Sequence, residues 1–285
     1  MTGSAQLASE CSAGSPDERA VVTVIQARTG STRLPGKVML PLLGKPVLAR
    51  MLERVAAASL AGTIVVATTT GRQDDCIENL ALEEGFAVFR GHPTDLVDRH
   101  HRAAQWLDAE VVVKIPSDCP LIDPGVIDRV IGEFLAASDS LDYVGNLHPP
   151  TYPDGNDVEV MSAAALATVL HEATQDFERE HTTPFLWERP RRFRVGNVTW
   201  ETGLDYSTTH RWVLDYPEDY TLIRALFEAL YPADPLFDLA DILDLLAESP
   251  DLVAINAGYR GVNWYAHPLG QLQIISANET RLGLP

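Results

Sequence analysis

A glycine- and arginine-bearing stretch near the start of the chain holds the residues best suited to chemistry. It occupies residues 26–37 and reads QARTGSTRLPGK. Its three cations are Arg28, Arg33 and Lys37. Guanidinium groups bind phosphate oxygens in pairs, a lysine adds a compact mobile charge, and Gly30 lets backbone amides approach an anion closely. The stretch matches neither the Walker loop nor the GxGxxG loop, yet it predicts a cradle for a triphosphate, with a solvated basic loop as the alternative.

Two aspartates follow apolar segments in distant parts of the chain. Asp118 comes shortly after the apolar run at 110–115. Asp215 ends the apolar segment 211–214 and precedes Pro217. If both segments are strands of one parallel sheet, their carboxyl ends share an edge with the basic stretch. The alternatives are a turn residue for Asp118 and a helix N-cap for Asp215.

The segments that must position these residues alternate between strand and helix. Runs of apolar and β-branched residues predict buried strands at 20–25, 63–68, 87–90 and 110–115. Periodic segments predict helices at 46–55, 74–84, 96–107 and 124–136. Such alternation with short connections predicts an α/β fold with three layers, in which helices cover both faces of a mostly parallel sheet.

The pattern changes after residue 142. We predict strands at 142–144 and 157–161, a helix at 163–174, a strand at 192–198 that belongs to a dimer-forming flap, a strand at 211–214 that rejoins the main sheet, and helices at 217–230 and 239–247. The predicted organisation is a disordered extension (1–19), a main domain (20–232) with a small inserted β/flap region at about 145–200, and a helical C-terminal extension (233–285).

Charge and composition exclude several classes of function. The 285 residues carry a formal net charge of -18, and cationic surface is what displaces counterions from a phosphate backbone, so we expect no nucleic-acid or membrane partner. No apolar run reaches the roughly 18 residues that span a bilayer, and residues 1–19 do not resemble a secretory signal. Three cysteines without metal spacing indicate a cytoplasmic protein, and Cys119 reads as a buried thiol rather than a nucleophile.

The basic stretch resembles the nucleotide-binding signature of cytidylyltransferases that activate sugar acids, the CMP-KDO and CMP-sialate synthetases. The chain is most similar to their relatives of the spore coat polysaccharide biosynthesis type. Further matching motifs follow in the same order along residues 20–230: VVATTT at 65–70, VFRG at 88–91, DLVDR at 95–99, SDCPLID at 117–123, YPDG at 152–155, EREHTTP at 178–184 and RWVLDYPED at 211–219.

The resemblance implies a nucleotide-diphospho-sugar transferase-like, Rossmann-like fold and a homodimeric enzyme that moves CMP from CTP to an anionic sugar or sugar-acid-like acceptor, releasing pyrophosphate. It implies that Asp118 and Asp215 bind Mg2+ and that both act in catalysis with Arg28 and Lys37. Magnesium typically takes one or two carboxylates together with substrate phosphates. The residues expected to bind the nucleotide are Gln26, Ala27, Arg28, Gly30, Ser31, Arg33, Lys37, Thr68, Thr69 and Ser117.

A second set of polar residues, further along the chain, is expected to bind the acceptor: Asp98, Arg99, Tyr152, Asp154, Asp157, Glu159, Glu178, Arg179, His181 and Arg211. His181 is either a base for the acceptor's proton or a structural hydrogen-bonding residue. Two other functions stay open. One is a metal-dependent glycosyltransferase that uses a finished nucleotide sugar, although no second aspartate stands two residues from Asp118. The other is a regulator that binds nucleotide without turnover.

Overall fold

The computed structural model describes residues 19–137 and 140–262. The strands are β1 (Val21–Gln26), β2 (Pro41–Leu42), β3 (Lys45–Pro46), β4 (Thr63–Thr69), β5 (Ala87–Gly91), β6 (Val111–Pro116), β7 (Tyr143–Gly145), β8 (Glu159–Ser162) and β9 (Val195–Asn197). The helices are α1 (Val47–Ala56), α2 (Asp75–Glu83), α3 (Leu96–Trp106), α4 (Pro124–Ala136), α5 (Ala163–Glu172), α6 (Asp176–His181), α7 (Pro184–Trp187), α8 (Pro217–Leu230), α9 (Leu239–Glu248) and α10 (Pro250–Ala254).

Seven strands form the main sheet, in the order β5-β4-β1-β6-β8-β7-β9. The four strands β5, β4, β1 and β6 are parallel, and β8 runs antiparallel to both β6 and β7. Gln26 at the end of β1 pairs with Ala67 of β4 and Pro116 of β6, so the carboxyl ends of these strands lie level. Loops that follow the three strands therefore meet at one edge.

Apolar side chains on the two faces of this sheet pack into two cores. Val22 and Val24 of β1 belong to one core, together with residues of α3, α5 and α7. Ile25 belongs to the other, together with residues of α1, α2, α4, α8 and α9. This alternation follows from the two-residue period of a strand covered on both sides. The three-layer, mostly parallel α/β fold is confirmed.

The segment 192–198 contains the predicted strand, β9, which pairs in parallel with β7 at the edge of the main sheet, and its part in a dimer-forming flap stays a prediction. One prediction for the second half of the chain is wrong in detail. The segment 211–214 does not rejoin the sheet. It makes one bridge, between Arg211 and Asp154, because it runs past the loops at the sheet edge, where the amide of Leu214 donates to the carbonyl of Asp118 at 2.7 Å.

The helix predicted at 217–230 and the helix predicted at 239–247, in the C-terminal extension, are present as α8 and α9, and both contribute to the same apolar core as α1 and α4. Residues 1–18 and 263–285, which hold most of the predicted N-terminal extension and the end of the C-terminal one, lie outside the described residues. Within 19–137 and 140–262, none of the helices has the length and apolar character that crossing a bilayer requires. The domain boundaries and the homodimer stay predictions.

Candidate active site

A cavity of about 340 Å3 opens at the carboxyl ends of β1 and β6. It is lined by most of the residues expected to bind the nucleotide and by part of the set expected to bind the acceptor. The predicted residues that line it are Gln26, Ala27, Arg28, Gly30, Ser31, Arg33, Lys37, Arg99, Ser117, Asp118, Asp154, Asp157, Glu159, His181, Arg211 and Asp215. The structure thus brings the basic stretch and both aspartates to one edge of the sheet.

The basic stretch folds back on itself directly after β1. The backbone carbonyl of Thr29 accepts hydrogen bonds from the amides of Ser31 and Gly36, both at 2.9 Å. Gly36 has a φ of 69°, in the left-handed region that glycine adopts without strain. The tight loop continues into a short helical turn that begins at Lys37, and this lysine lines the cavity.

Asp74, which the sequence analysis missed, anchors this loop from the neighbouring strand connection. Its Oδ1 accepts hydrogen bonds from the amide and the hydroxyl of Thr29, both at 2.7 Å. Its Oδ2 accepts a short hydrogen bond from the Thr69 hydroxyl. Burial raises the pKa of Asp74, but the hydrogen bonds from Thr69 and Thr29 outweigh burial and hold that pKa below its ordinary value. Thr69 therefore supports the loop indirectly, through its hydrogen bond to Asp74, and does not line the cavity.

Both predicted aspartates contact a single ammonium group. The Lys37 Nζ donates to Asp118 Oδ2 at 2.8 Å and to Asp215 Oδ1 at 2.9 Å. Burial lowers the pKa of Lys37, yet the two carboxylates outweigh burial and raise it above its ordinary value. Asp215 Oδ1 also lies 2.9 Å from Arg33 Nη2. Burial raises the pKa of Asp215, and the cations around it, Lys37 first, bring the pKa below its ordinary value.

The start of α8 fixes the backbone of Asp215. The amides of Asp215 and Tyr216 donate to Asp219 Oδ2 at 3.0 and 2.9 Å. Arg211 lies between three carboxylates: its Nη2 is 3.2 Å from Asp215 Oδ2, its Nε 3.1 Å from Asp219 Oδ1, and its Nη1 3.1 Å from Asp154 Oδ2. Because Arg211 is 2% exposed and Asp219 fully buried, this charge cluster is shielded from solvent. Asp215 is thus held on both its backbone and its carboxylate.

The other half of the cavity contains a buried ion pair between neighbouring strands. Lys114 of β6 and Glu159 of β8 lie side by side in the sheet, and the ammonium donates a short hydrogen bond to Glu159 Oε2. The Tyr143 hydroxyl donates to Glu159 Oε1 at 2.8 Å. Both charged residues line the cavity although they are 6% and 1% exposed. Lys114 is a second residue that the sequence analysis missed, and its signal was a lone charge within the apolar run of β6.

Two further groups in this half have pKa values that are shifted toward the neutral form. Burial raises the pKa of Asp157 to about 7, and the negative charges of Asp118 and Glu159 act in the same direction. Burial lowers the pKa of His181 to about 4, with help from the Lys114 ammonium. His181 is therefore an uncharged imidazole at neutral pH, which suits either of the roles considered for it.

Several residues of the predicted acceptor set do not reach the cavity, because they pair elsewhere. Asp98 accepts from Arg102 Nε at 2.7 Å, one turn along α3. Arg179 donates to Asp95 Oδ2 at 2.6 Å. Glu178 closes the N-terminal cap of α6 and accepts from an arginine at 2.5 Å. These pairings come from tertiary neighbours that no local pattern identifies.

Two more predicted residues lie in the protein interior. Tyr152 is 4% exposed and stacks on Trp200 at 5.7 Å between ring centroids. Thr68 is fully buried within β4. Arg99 does line the cavity, but its Nε and Nη2 donate to the carbonyls of His92 and Pro93, both at 2.9 Å. Burial lowers the pKa of Arg99 to about 10, so it stays charged at neutral pH.

Comparison with known proteins places this chain in a family. The sequence profile described as cytidylyltransferase matches residues 22–243. An uncharacterised protein of Methanocaldococcus jannaschii is 32% identical over 240 residues, which are 84% of this chain and 96% of the relative. The spore coat polysaccharide biosynthesis protein SpsF of Bacillus subtilis is 29% identical over 81% of this chain and 95% of its own length.

Solved structures agree with the sequence comparison. A cytidylyltransferase from Leptospira borgpetersenii superposes with a TM-score of 0.78 at 31% identity, over 83% of this chain and 97% of that chain. A CMP:2-keto-3-deoxy-manno-octonic acid synthetase complexed with CTP shares the fold, with a TM-score of 0.55 and 18% identity over 74% of this chain and 99% of its own. The matching profile and the relatives that cover most of its length show that the chain belongs to the cytidylyltransferase family, enzymes that transfer the cytidylyl group of CTP.

Proposed function

We propose that this enzyme transfers CMP from CTP to a small anionic, sugar-acid-like acceptor and releases pyrophosphate, with Mg2+ bound by Asp118 and Asp215. The observation that carries the proposal is the shared contact of these two carboxylates with Lys37, directly beside the loop that holds Arg28 and Arg33. The acceptor class is that of the 3-deoxy-manno-octulosonate cytidylyltransferase of Trichlorobacter lovleyi, which is 39% identical over 115 residues, 40% of this chain and 45% of that enzyme.

The donor set suits magnesium. Two carboxylate oxygens converge on one cation, the Lys37 ammonium, so the position between them favours positive charge. In the part of the chain that the structure describes, no group of three or more His, Cys, Asp or Glu residues forms a metal cluster. Magnesium commonly uses only one or two protein carboxylates and completes its octahedron with phosphate oxygens and water. When bound, the ion would act as a Lewis acid on the triphosphate and as a template for it.

The chain's own cations would bind and orient the triphosphate. Arg28, Arg33 and Lys37 surround its expected position, and Lys37 and Arg33 can exchange their contacts with Asp215 for phosphate oxygens. An acceptor hydroxyl oxygen then attacks the α-phosphorus and gives its proton to solvent or to the neutral His181 imidazole, and the bond from that phosphorus to the oxygen that bridges it to the β-phosphorus breaks. Pyrophosphate departs with the electron pair of that bond. Positioning and charge neutralisation account for most of the acceleration in such transfers.

The half of the cavity around Lys114 would bind the acceptor. The Lys114 ammonium has one carboxylate partner, Glu159, and three N–H donors, so it can also contact an acceptor carboxylate. Glu159 and Asp157 offer oxygens to acceptor hydroxyls. His181 lines the same region as a neutral group that accepts a hydrogen bond or a proton.

The decisive experiment is a pyrophosphate-release screen of the purified protein. It pairs each of the four nucleoside triphosphates with a panel of ulosonic acids, sugar phosphates and phosphonates, in the presence of Mg2+ or of a chelator. We expect release with CTP, with one class of anionic acceptor and only when Mg2+ is present. Release with another nucleotide, or unchanged release in the chelator, contradicts the proposal. CTP binding without turnover across the whole panel favours the non-catalytic alternative.

A further inference from the structure

A short segment near the C-terminal end of the described chain contacts the charge cluster behind Asp215. This C-terminal segment, Asn256–Val262, follows α10 and lies beyond residues 22–243, which the family profile matches. Asn256 is 2% exposed, and its Nδ2 donates to the backbone carbonyl of Arg211 at 2.8 Å and to Asp219 Oδ1 at 2.9 Å. At the other end of the segment, the carbonyl of Val262 accepts from Arg211 Nη1 at 2.8 Å.

These contacts reach the two residues that hold Asp215. Arg211 binds the Asp215 carboxylate through Oδ2, and Asp219 accepts from the Asp215 amide. Oδ1 of Asp215 is the oxygen that contacts Lys37 and Arg33. Because Oδ2 is held from behind, the carboxylate presents Oδ1 to the cavity. The C-terminal segment therefore supports the orientation of Asp215, the proposed metal ligand, indirectly, through Arg211 and Asp219.

A second contact links the same segment to the basic stretch. The Tyr259 ring stacks on the Tyr216 ring, with centroids 4.0 Å apart and planes at 12°. The Arg33 guanidinium lies 5.4 Å from the centroid of the Tyr216 ring, within cation–π distance. Val262 itself lines the cavity. The segment thus supports both Asp215 and Arg33, the cation that pairs with Asp215.

We infer that Asn256 and Tyr259 are positioning residues, which orient Asp215 and Arg33 for the metal-bound triphosphate. The inference rests on the proposed function, because it assigns its effect to the binding of metal and CTP. Removing the Asn256 amide takes one of two donors from the buried Asp219 Oδ1, which keeps Arg211 Nε, and takes the side-chain donor from the Arg211 backbone carbonyl. The Arg211 guanidinium is then free to shift toward Asp219 Oδ1 and to turn the Asp215 carboxylate with it.

The test measures Mn2+ binding by electron paramagnetic resonance, with CTP present and no acceptor, in the full-length protein. We expect Asn256→Ala to weaken Mn2+ binding about tenfold, as a misplaced ligand does, while thermal unfolding stays cooperative. Tyr259→Ala should weaken CTP binding several-fold, and Tyr259→Phe, which keeps the stacked ring, should match the wild type. The control is Asp251→Ala, an exposed residue of α10 that should leave both affinities unchanged.

The variants separate failure of this inference from failure of the proposed function. If Asp118→Asn and Asp215→Asn lose Mn2+ while Asn256→Ala and Tyr259→Ala bind like the wild type, the positioning role is wrong and the proposed function stands. If the aspartate variants bind Mn2+ as tightly as the wild type, the metal assignment is wrong, and the positioning role fails with it. If Asn256→Ala unfolds, the CTP affinities of Tyr259→Ala and Tyr259→Phe are compared instead. Equal affinities for these two variants overturn the inference.

Discussion

The two halves of the cavity hold their charges differently. In the half proposed to bind the nucleotide (the nucleotide half), Arg33 pairs with Asp215 and Lys37 with Asp118, and each of these two pairs has one partly exposed partner, whereas the Lys37–Asp215 pair is 11% exposed on either side. In the acceptor half, Lys114 and Glu159 form a pair that is almost fully buried and that a tyrosine hydroxyl completes. We expect the ion pairs of the nucleotide half to be replaced by contacts with phosphate and metal at a modest change in free energy. The second half is part of the folded core.

This contrast predicts that substitutions in the nucleotide half reduce activity and that substitutions in the acceptor half also reduce stability. Partly exposed ion pairs contribute about 0–1 kcal/mol to stability. Loss of one partner from a buried pair destabilises a protein by about 3–5 kcal/mol, because the other charge stays buried. Substitution of the paired aspartates should therefore reduce mainly activity, and substitution in the Lys114–Glu159 pair should also reduce stability.

The largest effect should come from Asp118→Asn. We expect a loss of turnover of roughly a thousandfold or more, because the amide removes the negative charge that binds the metal. The unfolding free energy should change little, because the Asp118 side chain is 26% exposed and Lys37 keeps its ion pair with Asp215. Pyrophosphate release and urea unfolding measure the two effects. Asp75→Asn, which alters an exposed pair with Arg90, is the matched control, and near-normal turnover of Asp118→Asn contradicts the metal assignment.

The next effect is on stability. Lys114→Met should lower the unfolding free energy by about 3–5 kcal/mol, because Glu159 then stays buried without its cation. The control is Lys45→Met, whose partly exposed pairs with Glu53 and Glu84 predict a loss of about 1 kcal/mol or less. Urea unfolding at neutral pH measures both. Equal losses for the two lysines would show that the buried Lys114–Glu159 pair is no more costly to break than a partly exposed pair. The double variant with Glu159→Gln should recover much of the loss.

The sequence identifies the nucleotide half far better than the acceptor half. Arg28, Arg33 and Lys37 lie within one loop, and Asp118 follows an apolar strand, so a linear pattern places these four at one edge. The sheet order confirms that expectation for β1 and β6. Asp215 lies at the same edge, but the strand predicted at 211–214 is not part of the sheet. The parallel α/β architecture was equally accessible, because each buried strand is a separate apolar run.

The acceptor half depends on contacts that no local pattern contains. Lys114 faces Glu159 only because β8 pairs antiparallel with β6. Glu178 and Arg179 have charged groups that could bind an acceptor, but they form ion pairs with Arg189 and Asp95 instead. Charged residues in loops and short helices have many available partners, and tertiary packing alone selects among them. Prediction of such a site therefore needs the strand register as well as the motif.

A smaller effect concerns the pH dependence of stability. The folded pKa of Asp157 is about 7, whereas an unfolded aspartate has a pKa of about 3.9, so between these values the folded state binds more protons. Stability should therefore fall as pH rises from 4 to 7, by at most about 4 kcal/mol from this group. Asp157→Asn should remove that slope, and urea unfolding at several pH values measures it. Identical slopes in wild type and variant would show that Asp157 ionises freely in the folded protein.

The smallest effect should come from the support of the basic loop. Thr29→Val removes the hydroxyl that donates to Asp74 but keeps the backbone amide that donates to the same oxygen. One lost hydrogen bond to a charged acceptor predicts a decrease in stability of about 1.5–3 kcal/mol. Because the loop can then move relative to β4, the KM for CTP should rise several-fold while kcat changes little. Thr29→Ser, which keeps the hydroxyl, should behave like the wild type. A fall in kcat with an unchanged KM would mean that Thr29 acts on the transferred group itself, and that the nucleotide half is less easily separated from the chemistry than its exposed pairs indicate.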